Sequence, residues 1–109
     1  IGEGEGAGCN ANFPLRPGTA WDAYAEALAA AVRKIVAFGP DALVVSLGVD
    51  TFGGDPISRF KLISEDFTRI GRAIASLSLP TVFVMEGGYA VEEIGINAVN
   101  VLSEFERRA

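Results

Sequence analysis

The 109-residue chain contains no histidine and a single cysteine, Cys9. A nucleophilic thiol wants a nearby base, usually histidine, so Cys9 is a poor candidate for a catalytic nucleophile. One cysteine also rules out an internal disulfide, and nothing argues for an oxidising compartment. A cytoplasmic location is the expectation. Basic residues are scarce, nine against fourteen acidic ones, for a net charge of -5 and a pI near 4.6. No basic patch is available to meet phosphates, so nucleic acid is not an expected partner. The acidic balance is weakly compatible with a cationic small substrate. No apolar run approaches the ~20 residues that span a bilayer, so no membrane segment is expected. Low-complexity tracts are missing too. Half of the chain is hydrophobic, enough to pack as one small domain. The chain opens IGEGEGAG with no Met and is expected to be a piece of a longer protein.

What is present is an alternation of two patterns. Asn10 to Leu15 alternates polar and apolar residues, which predicts a short strand stopped by Pro17-Gly18. Thr19 stands in an N-cap position with Asp22 three residues on. Trp21, Tyr24, Ala25, Leu28, Val32, Ile35 and Val36 then recur at helical spacing, predicting a helix over 20–38 that Gly39-Pro40 ends. Ala42 to Leu47 is nearly all apolar, the mark of a strand buried on both faces of a parallel sheet. Ser64, Glu65 and Asp66 open a second helix, with acidic residues at the positive end of its dipole. Phe67, Ile70, Ile74 and Leu77 form its stripe. Thr81 to Met85 is another apolar strand. Val91, Ile94, Ala98, Val101, Leu102 and Phe105 mark a last helix. Gly71 and Gly95 lie inside helices and suggest close packing. Strand, helix, strand, helix, strand, helix implies an α/β fold: a parallel sheet with helices on its faces.

Ligands of open α/β sheets bind beyond the carboxyl ends of the strands. Two loops leave those ends. GVDTFGGDPISRF, residues 48–60, carries Asp50 and Asp55; EGGY, residues 86–89, carries Gly87, Gly88 and Tyr89. A carboxylate there can ligate a metal such as zinc. A tyrosine hydroxyl can donate to a developing oxyanion. Glycine-rich turns can cradle a phosphate, although no phosphate-binding glycine motif precedes a helix. Equally, an aspartate after a strand often only shapes a turn, and GGY can be a bend with a packed aromatic. The residues by themselves leave these readings open.

GAGCNANFPLRPGT, VVSLGVDTFGGDPISRF and TVFVMEGGY, in that order, resemble the C-terminal part of the histone deacetylase superfamily. VDTF, DPISRFKL and FVMEGGYAVEEIGINAVNVL are most similar to its bacterial acetylpolyamine amidohydrolase branch. The likeness covers essentially the whole of residues 1–109, a single piece equal to about the C-terminal third of a catalytic domain. It implies a three-layer arginase-like α/β fold and zinc-dependent hydrolysis of an acetylated amine. Asp55, followed by Pro56, matches the family's zinc-binding aspartate. Tyr89 matches its catalytic tyrosine, and Gly87 and Gly88 would line the substrate channel. Asp50 matches an aspartate taken as structural, bonding within its own loop.

The family's proton-transferring His-His pair and its Asp-x-His zinc ligands have no counterpart here. Catalytic zinc ordinarily takes three protein ligands, so this chain alone is expected to be inactive and to hold no zinc. The expected substrate of the whole protein is a small cationic acetylated amine. The alternatives are an acetyl-lysine or other small-amide deacetylase, or an α/β module without catalysis. Apolar strands that lack their neighbours also suggest a homo-oligomer.

Overall fold

The computed structural model describes residues 3–55, 60–90 and 92–108. Among these, helix α1 (Trp21–Phe38), strand β1 (Leu43–Leu47), helix α2 (Ser64–Ala75), strand β2 (Thr81–Met85) and helix α3 (Ile94–Arg108) follow one another, after one short 3-10 turn at Gly4–Gly6.

The two strands pair in parallel, from Leu43 opposite Thr81 to Leu47 opposite Met85. This is the crossover arrangement that the alternation of elements predicts. Two details differ. Residues 10–15 form no strand; they run as coil and are mostly exposed. An isolated strand cannot satisfy its backbone groups, and neither strand of this sheet pairs with it. Nor is the sheet buried on both faces. Val44 is 70% exposed, Val82 60% and Val84 44%, whereas Val45 and Phe83 point the other way and pack on the core. Among the described residues, the helices leave that outer face bare.

The core gathers Leu47, Val49, Leu62, Phe67, Ile70, Ile74 and Val101. Phe67 and Leu62 are wholly buried, and each such side chain contributes roughly 1.5–3 kcal/mol of transfer free energy. Phe83 of β2 meets Phe105 of α3 edge to face, with ring centroids 5.1 Å apart.

The two helices after the strands pack closely because of one glycine. A methyl group on Gly71 of α2 would collide with the Val101 carbonyl oxygen of α3. Gly95 is different: among the described residues nothing lies within 4 Å of where its side chain would be, so it marks no close contact there. The N-terminus of α2 is closed by Asp66, whose Oδ2 accepts the Ile63 backbone N–H at 2.9 Å while Oδ1 pairs with Arg69 at 2.6 Å. At the other helix start, Ala20 takes the cap position. Thr19 therefore lies one residue before the cap, and its hydroxyl donates to the Arg16 carbonyl at 2.6 Å in the preceding turn. Gly39 ends α1 with φ 71°, donating its N–H to the Ile35 carbonyl, a left-handed cap that glycine adopts at little cost. Val91, read as part of the last helical stripe, lies outside the described residues.

Candidate functional site at the carboxyl ends of the strands

The parallel pairing continues past both strands. Glu86 donates its N–H to the Leu47 carbonyl at 2.8 Å, and Val49 donates to the Gly87 carbonyl at 2.8 Å. These two bonds bring the aspartate loop and the EGGY loop together, as neighbouring strands require.

The aspartate loop is then folded back on itself. Phe52 donates to the Val49 carbonyl and Asp55 to that of Phe52. Phe52 and Leu62 form an isolated parallel bridge: Gly53 donates to the Leu62 carbonyl at 2.7 Å and Leu62 to the Thr51 carbonyl at 3.3 Å. Leu62 is fully buried and anchors the returning segment in the core. The Lys61 N–H meets the Thr19 carbonyl at 2.7 Å, tying the loop to the entry of α1.

Asp55 ends up 5% exposed. Its Oδ2 accepts the backbone N–H of Tyr89 at 2.6 Å. The two residues singled out in the sequence are therefore joined directly. Burying a carboxylate is costly unless it is paired or hydrogen-bonded, so a buried Asp55 held by a neighbouring loop is an ordered acceptor. The Tyr89 side chain is half exposed, with its phenol free of the core. Pro56 and Ser58 lie outside the described residues.

Gly87 and Gly88 are crowded by the protein itself. A methyl group on Gly88 would fall 2.6 Å from Val49 Cγ2 and 2.9 Å from Ile94 Cδ1. On Gly87 it would fall 2.5 Å from Asp50 Oδ2. Asp50 is thus not confined to its own loop; its carboxylate lies across the gap, between Gly48 and Gly87.

One neighbour of the site went unnoticed in the sequence as anything but core. Tyr24 of α1 stacks on Trp21 with centroids 6.2 Å apart and meets Phe60 edge to face at 6.3 Å. Burial pushes its phenol pKa up, and the negative charge of Asp50 pushes it further. Its place in the helical stripe signalled burial, but nothing in the spacing signalled that the charge of Asp50 reaches it.

Among the described residues, no three or more His, Cys, Asp or Glu side chains come together as a metal-binding group. Asp55 is a carboxylate of the kind that can ligate zinc, but a zinc site ordinarily takes three or more protein ligands, so the described residues do not make one by themselves. Cys9 is exposed. Among the described residues no helix is long and apolar enough to cross a membrane.

A family model described as "Histone deacetylase domain" matches residues 1–105. Acetylpolyamine amidohydrolase 1 of Pseudomonas aeruginosa is 59% identical over 108 residues, which is 99% of this chain and 31% of that protein. Acetylpolyamine amidohydrolase 2 of the same organism is 62% identical over 105 residues, 96% of this chain and 30% of that protein. The crystal structure of acetylpolyamine aminohydrolase from Burkholderia pseudomallei superimposes with a TM-score of 0.92 at 42% identity, covering 95% of this chain and 30% of that one. The chain therefore spans under a third of the length of the relatives it matches.

Proposed function

Because this chain belongs to the histone deacetylase family, we propose that it forms the C-terminal part of a zinc-dependent amidohydrolase that removes acetyl groups from polyamines or similar aminoalkyl amides. The observation that carries this reading is the direct contact between the Asp55 carboxylate and the Tyr89 backbone. It fixes a metal-ligand candidate and a proton-donor candidate relative to one another. The substrate class rests on the names of the relatives at 59% and 62% identity.

Asp55 would be one zinc ligand, the others coming from the part of the protein outside this chain. When bound, zinc polarises the amide carbonyl and lowers the pKa of a coordinated water. Tyr89 would donate its hydroxyl to the carbonyl oxygen as negative charge develops there, worth about 3 kcal/mol for one such donor. Gly87 and Gly88 would present a side-chain-free wall beside the reacting group. The acidic balance of the chain suits a cationic amine.

The test is turnover by the full-length protein. Acetylated polyamines and acetyl-lysine peptides are compared at matched concentrations, alongside the zinc content of the purified protein. Faster turnover of the polyamines with stoichiometric zinc is expected. Preference for the peptides would shift the assignment to an acetyl-lysine deacetylase, and a zinc-free protein without turnover would leave a non-catalytic module.

A further inference from the structure

Asp50 lies at the join between the two loops. Its Oδ2 occupies the space that a side chain on Gly87 would need, at 2.5 Å, and its Oδ1 lies 3.0 Å from where a side chain on Gly48 would begin. Neither glycine takes a left-handed backbone. What excludes a side chain at Gly87 is therefore the Asp50 carboxylate, and at Gly48 the same carboxylate is the nearest neighbour. The fit spans both loops: Gly48 leaves β1, and Gly87 follows β2 by two residues. On either side of this contact stand the Val49–Gly87 backbone bond at 2.8 Å and the Tyr89–Asp55 bond at 2.6 Å. An aspartate that only shaped a turn would be turned toward its own loop. This one is interposed between Gly48 of one loop and Gly87 of the other.

From this geometry we infer that Asp50 is a positioning residue: its carboxylate is a spacer between Gly48 and Gly87 that sets where the EGGY loop carries Tyr89 relative to Asp55. The inference rests on the proposed roles of Tyr89 and Asp55 for its catalytic consequence, but not for its structural one. Shape rather than charge is the property used, since the packed surfaces are the glycines themselves. An amide of the same shape should therefore serve.

The experiment compares Asp50→Ser and Asp50→Asn in the full-length protein, reading amide hydrogen exchange over residues 86–90, zinc content and kcat. Loss of the spacer in Asp50→Ser should speed exchange of the Tyr89 amide by roughly tenfold, because local opening becomes easier. Core amides near Phe67 and Val101 should be unmoved. A shift of the loop should lower kcat by about tenfold or more, with zinc retained, since small misplacements of a reacting group are expensive. Asp50→Asn should stay close to wild type in every readout. Unchanged exchange in Asp50→Ser overturns the inference. So does an equal loss in Asp50→Asn, which would make the charge the operative property. If Asp50→Ser does not fold, Gly48→Ala, whose methyl would press on Asp50 Oδ1, is read in the same way. If Tyr89→Phe keeps full kcat while Asp50→Ser still speeds exchange, the spacer stands and the catalytic assignment of Tyr89 falls.

Discussion

The backbone N–H of Tyr89 reaches Oδ2 of Asp55 across 2.6 Å, joining positions 34 residues apart. A metal-ligand candidate is thereby tied to the main chain of the proton-donor candidate, not to its hydroxyl. The two side chains can be altered separately, and the consequences differ.

In the full-length protein, Tyr89→Phe removes a hydroxyl and leaves the Asp55 bond intact. Zinc content and melting temperature should hold, while kcat falls roughly 10²- to 10³-fold. Asp55→Ala removes both the proposed ligand and the acceptor of the Tyr89 N–H, so zinc and activity should be lost together. Zinc analysis, kcat and thermal melting of the pair decide the matter; full kcat in Tyr89→Phe defeats the assignment.

The 109-residue chain by itself should not retain zinc through dialysis and should not turn over acetylated amines. Asp55 would be a single ligand, the sequence has no histidine, and zinc sites ordinarily need three or four protein ligands. Metal analysis after dialysis, with an amine-release assay, checks this; stoichiometric zinc with turnover contradicts it.

Gly71→Ala and Gly95→Ala should move stability in opposite directions. The first forces a methyl into the Val101 carbonyl and should cost about 1–3 kcal/mol, as overpacking does. The second adds a methyl in open space and should gain up to roughly 1 kcal/mol from reduced chain freedom. Denaturant midpoints of the two variants are the measurement.

Two groups give the fold a pH dependence at opposite ends. Glu104 of α3 is held below the usual carboxylate range, first by its hydrogen bond from Arg108 and then, against the opposing effect of burial, by the charges of Arg107, Arg108 and Arg72. A depressed folded value stabilises above the unfolded value of about 4.3 and is lost as pH falls through the folded one. Glu104→Gln should flatten that acid limb. Tyr24 is raised, by burial first and then by Asp50. Its neutral form is favoured in the fold, so stability is lost as pH rises above the ordinary phenol value of about 10. Tyr24→Phe should remove that alkaline loss. Melting temperatures across pH for the two variants test both signs.

The bare face of the sheet, with Val44, Val82 and Val84 exposed, should make the isolated chain self-associate. Light scattering at rising concentration should show mass above the monomer. Val44→Lys with Val82→Lys should restore the monomer mass, and a clean monomer without these changes would count against the prediction.

Much of this arrangement is legible in the residues. The helical stripe from Trp21, the acidic start of α2 and the two valine-rich strands each carry a period or run long enough to identify the element. The loops could be placed side by side as soon as β1 and β2 were neighbours. The strand expected over 10–15 was not legible, because alternation reports a tendency and pairing needs a partner. The all-apolar character of β1 and β2 suggested burial on both faces, but composition records what a strand suits, not which surfaces a given stretch supplies to cover it. Thr19 failed as a cap because the helix begins one residue later, with Ala20 at the cap position. Asp50 looked local because no pattern in the sequence sets it opposite Gly87. That juxtaposition comes from the parallel register, which appears only when the strands are laid together.

The stitching between the two loops has a further consequence for how these segments can vary. Its donors are the main-chain N–H groups of Val49, Glu86 and Tyr89, and every residue except proline carries such a donor. The exposed side chain of Glu86 can therefore vary without disturbing its bond, Val49 is held by its place in the core, and proline at any of the three would break one bond outright. Tolerance along these loops should follow the backbone: permissive to most residues at Glu86, closed to proline, and closed to anything larger than glycine at 87 and 88. A saturation library over residues 86–89, selected for folded protein alone, should carry that pattern whether or not any member is active.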